Sequence, residues 1–310
     1  MSRMLLTLML LPVSTAIGQE PVPVPRVREI LVPVSPRESL RVTMAGDGPT
    51  VILVPGLFGS AFGYRHLLKL LPPAGFRTVV VEPLGIGGSP RPRNADYSLT
   101  AQSDRIAVVL QRIDSRPVLV VAHSMGVSMA LRLAYRHPEQ VRAVVALDGG
   151  PAEHAATPAF RRAMRYAPWI KWLGGMKRIR PKMRKDLIAA SGDSSWVTDE
   201  VMAGYTAGAA ADLDGTLLAF LEMSEVREPE RLAPHLTEIR CPVRLVLGTA
   251  PHQGGVEEKQ IRLLRERLPN FGIDTISGAG QYLFEEQPSS VVRIIEHMMG
   301  TSHTALRPGQ

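Results

Sequence analysis

Eight apolar, strand-like runs alternate with helical patterns along this chain, and no other feature limits its fold as strongly. The runs are VREILVPV, LRVTMAG, TVILVPG, RTVVVEP, PVLVVAH, VRAVVALDG, VRLVLGTA and FGIDTIS. The later runs are rich in Val, Ile and Leu without polar alternation, which is typical of strands buried on both faces of a parallel sheet. The sequence therefore predicts an α/β fold, with a mostly parallel sheet and helices on both of its faces.

One long stretch interrupts this alternation. Residues 151–235 have helical patterns and no convincing strand, so we predict a helical cap inserted between two parts of an α/β core, residues 27–150 and 236–300. The chain has 310 residues, 45% of them hydrophobic. A chain of that size can bury a full core without disulfides or metals. Its single cysteine, Cys241, excludes an intramolecular disulfide. No cofactor or metal motif is recognisable, and none of these groups is expected.

Both ends of the chain differ from the middle. Residues 1–18 contain Arg3, an apolar run and the small-residue pattern Ala16-Ile17-Gly18, which together predict a secretory signal peptide cleaved near Gly18. The mature protein is then exported from the cytoplasm and is periplasmic or secreted. The alternative is an uncleaved anchor at the membrane interface. We expect a Pro-rich leader over residues 19–26 and a disordered tail over residues 301–310.

The most informative motif lies midway along the chain, in VVAHSMGVSMALRLAYRHP. A strand pattern ends at Ala122-His123-Ser124-Met125-Gly126, and a helical pattern begins at once. This order matches the nucleophile elbow G-x-S-x-G, with Ala122 in the first glycine position. Small residues on either side of Ser124 permit the sharp turn that holds the serine hydroxyl out at the edge of the sheet. Ser124 is therefore the candidate nucleophile.

Three further motifs extend a family resemblance around this elbow. VPGLFGSAFGYRHLL is similar to an H-G-x-x-G-S loop with Pro55 in place of histidine, and EPLGIGGSPRP to a D-x-x-G-x-G-x-S turn with Glu82 in place of aspartate. GAGQYLFEEQP is similar to a loop that reads G-x-G-H before E-x-P. From about Val27 to Met299 the chain thus resembles α/β-hydrolases such as esterases, lipases and proline iminopeptidases. Serine at the elbow argues against the epoxide-hydrolase and dehalogenase branches, which use aspartate there.

The resemblance implies an oxyanion hole made by the backbone N–H groups of Leu57 and Met125. It also implies that the family base position is Gln281 and that the acid position, just after the seventh strand, falls near Pro251. A primary amide donates and accepts hydrogen bonds but does not carry a proton near neutral pH. Two of the three triad positions are therefore vacant in this sequence.

Either a base reaches Ser124 from elsewhere, or the site no longer performs acyl transfer. Among the eight histidines, His252 is the candidate base because its loop lies where the family acid should be. Asp148, at the end of the sixth strand, is the candidate acid, although aspartate there is also common as a turn cap. His123 precedes Ser124 directly, but strand alternation predicts that it points away from the nucleophile.

The predicted cap carries an unusual concentration of positive charge. Between residues 155 and 185 there are ten cations and no acid, with Trp169 and Trp172 interleaved. The cations are Arg161, Arg162, Arg165, Lys171, Lys177, Arg178, Arg180, Lys182, Arg184 and Lys185. They indicate either an ordinary solvated face or peripheral contact with an anionic membrane, acidic lipid or polysaccharide. No nucleic-acid partner is expected, because no binding module is recognisable.

Three functions remain open at this point. The leading prediction is hydrolysis of an ester-like bond in an apolar or amphipathic substrate, small or lipid-like, with Ser124 as nucleophile and a non-standard base. The second is a non-catalytic ligand-binding protein on a hydrolase scaffold. The third is an envelope-associated protein that docks on an anionic surface through its basic cap. Because fold analogy does not determine function, the elbow alone does not choose among them.

Overall fold

The computed structural model describes residues 26–114, 116–155, 161–162, 164 and 175–300. The predicted signal peptide, nearly all of the Pro-rich leader and the tail lie outside these ranges. So do Trp169, Trp172 and two of the ten cap cations, Arg165 and Lys171. Within the described ranges, no helix is both long and apolar enough to cross a bilayer.

The centre of the molecule is one eight-stranded sheet, and its strands correspond to the eight predicted runs. Its spatial order is β1-β2-β4-β3-β5-β6-β7-β8. The pairs β1/β2 and β2/β4 are antiparallel and all other pairs are parallel, as predicted for a mostly parallel sheet. The strands are Arg28–Ser35 (β1), Glu38–Ala45 (β2), Thr50–Val54 (β3), Arg77–Glu82 (β4), Val118–His123 (β5), Val141–Leu147 (β6), Val243–Gly248 (β7) and Phe271–Ile276 (β8).

Nine α-helices lie in the described part of the chain. They are Arg65–Leu70 (α1), Leu99–Ile113 (α2), Met125–Arg136 (α3), Met176–Ala189 (α4), Asp199–Ala211 (α5), Leu213–Glu225 (α6), Glu258–Arg267 (α7), Leu283–Glu286 (α8) and Pro288–Met299 (α9). Apolar residues of α2, α3 and α7 pack on one face of the sheet, and those of α1 and α9 pack on the other. Because helices cover both faces, every residue of β5 is buried, which explains its continuous apolar run.

The register of the central strands brings three loops to one edge of the sheet. Val54 at the end of β3 pairs with Ala122 in β5, and His123 at the end of β5 pairs with Leu147 at the end of β6. The segments that follow these strands therefore leave the sheet side by side. In open α/β sheets, the carboxyl ends of the strands are the usual place for a ligand site.

Between β6 and β7 the described chain contains α4, α5 and α6 and no strand, as the helical pattern predicts. The two ends of this insertion meet on α3. Arg132 is fully buried, with its guanidinium 3.5 Å from the Glu153 carboxylate and 3.6 Å from the Glu228 carboxylate. Glu153 accepts hydrogen bonds from the Leu232 and Ala233 backbone N–H groups at 2.9 and 3.1 Å. One buried cation therefore joins the beginning and the end of the insertion to the core.

Candidate active site

The turn after β5 has the strained backbone expected of a nucleophile elbow. Ser124 has φ 51° and ψ −119°, in a region that non-glycine residues rarely occupy. Two glycines make the turn sterically feasible. A Cβ on Gly126 would lie 2.6 Å from the Val54 carbonyl oxygen, and one on Gly149 would lie 2.4 Å from the Ser124 carbonyl oxygen. The small residues of the motif are thus required by close backbone approach.

Two backbone N–H groups are available beside the serine. Met125 is the first residue of α3, so its N–H has no partner within the helix. Neither the Met125 nor the Leu57 N–H donates to a backbone carbonyl in the described ranges. Both residues line one cavity together with Ser124. This arrangement supplies hydrogen-bond donors at the position where the family resemblance implies an oxyanion hole.

Glu82 holds the loop that carries Leu57. Its buried carboxylate accepts hydrogen bonds from Ala61 N at 2.7 Å and from Gly88 N at 2.8 Å. Burial raises the pKa of Glu82, and the two N–H groups oppose that rise by stabilising the charged form. The glutamate that replaces the family aspartate therefore connects the end of β4 to the loop after β3.

The cavity at Ser124 has a volume of about 370 Å³ and an aromatic wall. Its aromatic lining residues are Phe58, Tyr64, Tyr205, Tyr282 and Phe284. Polar groups are few and lie near the serine or the opening: Ser60, His123, Asp186, Gln253 and Gln281. In the described part of the chain, no hydrogen bond engages the Ser124 hydroxyl. A mainly apolar cavity with few polar groups fits an uncharged or amphipathic organic ligand.

Gln281 shares this cavity with Ser124. Its backbone N–H donates to the Ala190 carbonyl at 2.8 Å, which attaches its loop to the end of α4. Its side-chain Oε1 would lie 2.9 Å from a Cβ added at Gly254, so glycine there leaves room for the amide. The position that the resemblance assigns to a histidine thus presents an amide to the cavity. The acid position is likewise occupied by an exposed proline, Pro251.

The predicted base and acid, His252 and Asp148, lie together but in an unexpected arrangement. His252 Nε2 lies 3.0 Å from Asp148 Oδ2, and His252 Nδ1 lies 2.8 Å from the Ala250 carbonyl oxygen. The second Asp148 oxygen accepts from Val256 N at 3.1 Å. Burial raises the pKa of Asp148, an effect that its two hydrogen-bond partners oppose.

This arrangement uses both ring nitrogens of His252. The carbonyl oxygen of Ala250 only accepts, so Nδ1 must carry a proton, and Nε2 faces the carboxylate. No ring nitrogen is left to accept the Ser124 proton. The geometry therefore does not support the predicted role of His252 as base or of Asp148 as its orienting acid. It supports a structural role, because the pair holds the loop whose Gln253 and Gly254 line the cavity.

His123 lies on the cavity wall with Ser124, contrary to the prediction that it points away. His123 still belongs to β5, whereas Ser124 leaves strand geometry with φ 51°, so strand alternation does not relate the direction of the Ser124 side chain to that of His123. His123 Nε2 lies 3.2 Å from the Gln281 carbonyl oxygen, and its ring packs 4.9 Å from Phe284, between ring centroids. Burial lowers the pKa of His123 to about 4, so the ring is neutral near pH 7.

Cys241 offers no second nucleophile, and the described residues offer no metal site. Burial raises the pKa of the Cys241 thiol to about 11, which makes it a poor nucleophile. Among the described residues, no group of three or more His, Cys, Asp or Glu side chains is placed to hold a metal ion.

Comparison with known proteins supports the fold. A family model described as alpha/beta hydrolase fold matches residues 49–181. An uncharacterized protein of Mycobacterium tuberculosis is 24% identical over 289 residues, covering 87% of this chain and 80% of that protein. The 2-hydroxymuconate semialdehyde hydrolase of Pseudomonas putida is 25% identical over 225 residues, covering 72% of this chain and 76% of that enzyme.

Solved structures agree as well. A thermophilic esterase from Thermogutta terrifontis superposes with a TM-score of 0.69 at 19% identity, covering 89% of this chain and 100% of the esterase. Identity that low establishes the fold alone, while the named relatives support a hydrolase in general terms. The sheet order, the elbow and the family model together show that this chain has the alpha/beta hydrolase fold.

Proposed function

We propose that this protein hydrolyses an ester-like bond in an apolar or amphipathic substrate, with Ser124 as nucleophile. The observation that carries the proposal is the strained elbow. It holds Ser124 in a cavity beside two backbone N–H groups, those of Leu57 and Met125, that have no backbone partner in the described chain. Backbone strain of this kind costs about 1–3 kcal/mol and persists where the surroundings impose it.

The proposed reaction has two steps. In the first, Ser124 Oγ attacks the carbonyl carbon, its proton passes to water, and the leaving alcohol departs after protonation by water. In the second, water attacks the acyl carbon of the acyl-serine, the bond between that carbon and Ser124 Oγ breaks, one proton of the attacking water returns to Oγ through solvent, and the carboxylic acid is released. The Leu57 and Met125 N–H groups stabilise the oxyanion in both steps, and each such donor contributes about 3 kcal/mol.

The base is the unusual part of this proposal. Gln281 occupies the position where the resemblance implies a histidine, and His252 has no free ring nitrogen. We assign to the Gln281 amide the role of holding a water beside Ser124, which is a positioning role. Without an imidazole, the reaction should favour esters with good leaving groups, and the acyl-serine should be hydrolysed slowly, because general base catalysis contributes about 10²- to 10⁴-fold.

The decisive experiment is labelling of the purified protein with a fluorophosphonate. Wild-type protein should be labelled slowly, and Ser124→Ala should not be labelled. Ser60→Ala is the matched control, because Ser60 lines the same cavity and should not affect labelling. A p-nitrophenyl ester should then give a burst of nitrophenol followed by slow turnover. Absence of serine-dependent labelling, or equal turnover by wild type and Ser124→Ala, would remove the proposal.

A second candidate is a ligand-binding protein that performs no chemistry. The engagement of His252 by Asp148 and Ala250, together with the amide at residue 281, specifically favours it. If the protein only binds its ligand, a p-nitrophenyl ester should bind wild type and Ser124→Ala equally and should be recovered without hydrolysis. Detection of acyl-serine by mass spectrometry would exclude it.

A further inference from the structure

A second concave surface lies away from Ser124, between α4 and α5. This cationic groove has a volume of about 540 Å³, and its lining includes Arg180, Arg184, Lys185 and Ile188 of α4 and Asp199 and Met202 of α5. It shares no lining residue with the cavity at Ser124. The groove therefore requires an explanation separate from hydrolysis.

Among the described residues, only one of the three cations in the groove has a carboxylate partner. Arg184 forms an ion pair with Asp199 and also donates to the Val197 carbonyl at 2.8 Å. Arg180 donates its Nε to the hydroxyl of Thr206 at 3.0 Å, and neither Arg180 nor Lys185 pairs with a carboxylate of the described chain. These two cations are therefore available to bind an anion in the groove.

Two cations of the groove also repel each other. Arg180 and Arg184 are four residues apart on α4, a spacing at which like charges destabilise a helix. An anion bound in the groove would reduce this repulsion.

Apart from the three cations and Asp199, which pairs with Arg184, the lining residues are apolar, and they indicate that a bound anion also carries an apolar part. Ile188 is 45% exposed, although it is a large aliphatic side chain, and Met202 and Pro181 form more of the wall. A small inorganic anion would satisfy the cations but would leave Ile188 in water. An anion that carries hydrocarbon would contact both parts of the surface.

We propose that the cationic groove binds the phosphate headgroup of an anionic phospholipid at a membrane surface. Arg180 and Lys185 bind the phosphate, and Ile188 contacts the first carbons of the acyl region. Membrane-facing cations contribute about fivefold each to the binding constant at low salt. Replacing both should therefore weaken binding by about 25-fold, provided their contributions are independent.

The test is co-sedimentation of the full-length protein with phosphatidylcholine vesicles, with and without phosphatidylglycerol, at low and at physiological salt. Wild type should bind only the vesicles that contain phosphatidylglycerol, and more weakly as salt rises. Arg180→Ala/Lys185→Ala should lose about 25-fold in affinity. Arg262→Ala/Arg265→Ala removes the same charge from exposed positions of α7 and should bind as wild type does.

Three outcomes would overturn the proposal. The first is equal binding of wild type to neutral and anionic vesicles. The second is an equal loss in the two double variants, because it would show a non-specific effect of net charge. The third is full competition by inorganic phosphate together with unchanged binding of Ile188→Ser, because the groove would then select a free anion. Thermal denaturation of each variant verifies that it is folded.

Discussion

Replacing His123 by phenylalanine should remove a specific part of the protein's acid sensitivity. The ring is buried against Tyr282 and Phe284, with centroid distances of 5.2 and 4.9 Å, and burial lowers its pKa to about 4 from an ordinary value of 6.5. As pH falls below 6.5, the unfolded chain binds a proton that the folded protein does not. Folding stability from this residue is therefore complete above pH 6.5 and is lost as pH falls toward 4.

The size of the effect follows from the two pKa values. The difference between 6.5 and about 4 corresponds to a loss of about 3 kcal/mol once both states have titrated. At pH 5, where the unfolded histidine is almost fully protonated and the folded one is mostly neutral, the loss should be about 2 kcal/mol. For a domain whose total stability is about 5–15 kcal/mol, a loss of that size is easily measured.

The assay is urea unfolding at a series of pH values between 7.5 and 5, followed by tryptophan fluorescence. The reported quantity is the change in unfolding free energy with pH. His123→Phe also loses the hydrogen bond to the Gln281 carbonyl, but that loss shifts stability at every pH and leaves the slope unaffected. His297→Asn, at an exposed position of α9, should retain the wild-type slope. Equal slopes for wild type and His123→Phe would refute the reasoning.

Three further changes test other parts of the structure. Gly126→Ala should lower the free energy of unfolding by about 1–3 kcal/mol, because its Cβ would lie 2.6 Å from the Val54 carbonyl oxygen; urea unfolding would show this, and an unchanged midpoint would contradict it. Arg132→Met should lower the free energy of unfolding by about 3–5 kcal/mol, which calorimetry measures, because it leaves the buried Glu228 carboxylate without its cation. Gln281→His combined with Pro251→Asp should raise ester turnover by more than the two single changes together, because triad members act as a unit; additive rates would count against that geometry.

The fold was predictable because its signals are local and repeated. β5 and β6 read as continuous apolar runs since helices cover both faces of the sheet there, and their bounds differ from the predicted runs only at the ends. The start of α1 was less predictable. The run SAFGYRHLLKLL has a helical pattern from Ser60, but residues 60–64 form successive tight turns, such as Gly63 N to Ser60 O at 3.1 Å, before the helix begins at Arg65.

The candidate site was predictable only where a motif fixes the backbone. Ser124, Leu57 and Met125 follow from the elbow and the loop after β3, whose function depends on main-chain geometry. His252 and Asp148 were identified as residue types that belong near the site, and they do lie 3.0 Å apart. The competing acceptor, the Ala250 carbonyl, is a backbone atom, and no sequence pattern reveals which ring nitrogen it occupies.

Because the two ends of the insertion contact each other, the segment between them can vary in evolution without altering the core. Glu153 accepts the Leu232 N–H at 2.9 Å, so the chain leaves the core and returns to it at nearly the same point. The intervening segment can therefore be exchanged for one of different length without moving β6 or β7. Its replacement by a short linker should yield a smaller protein with an intact sheet and an uncovered serine. Exchange of this segment between relatives could change which ligands enter the cavity, while the sheet and the elbow stay the same.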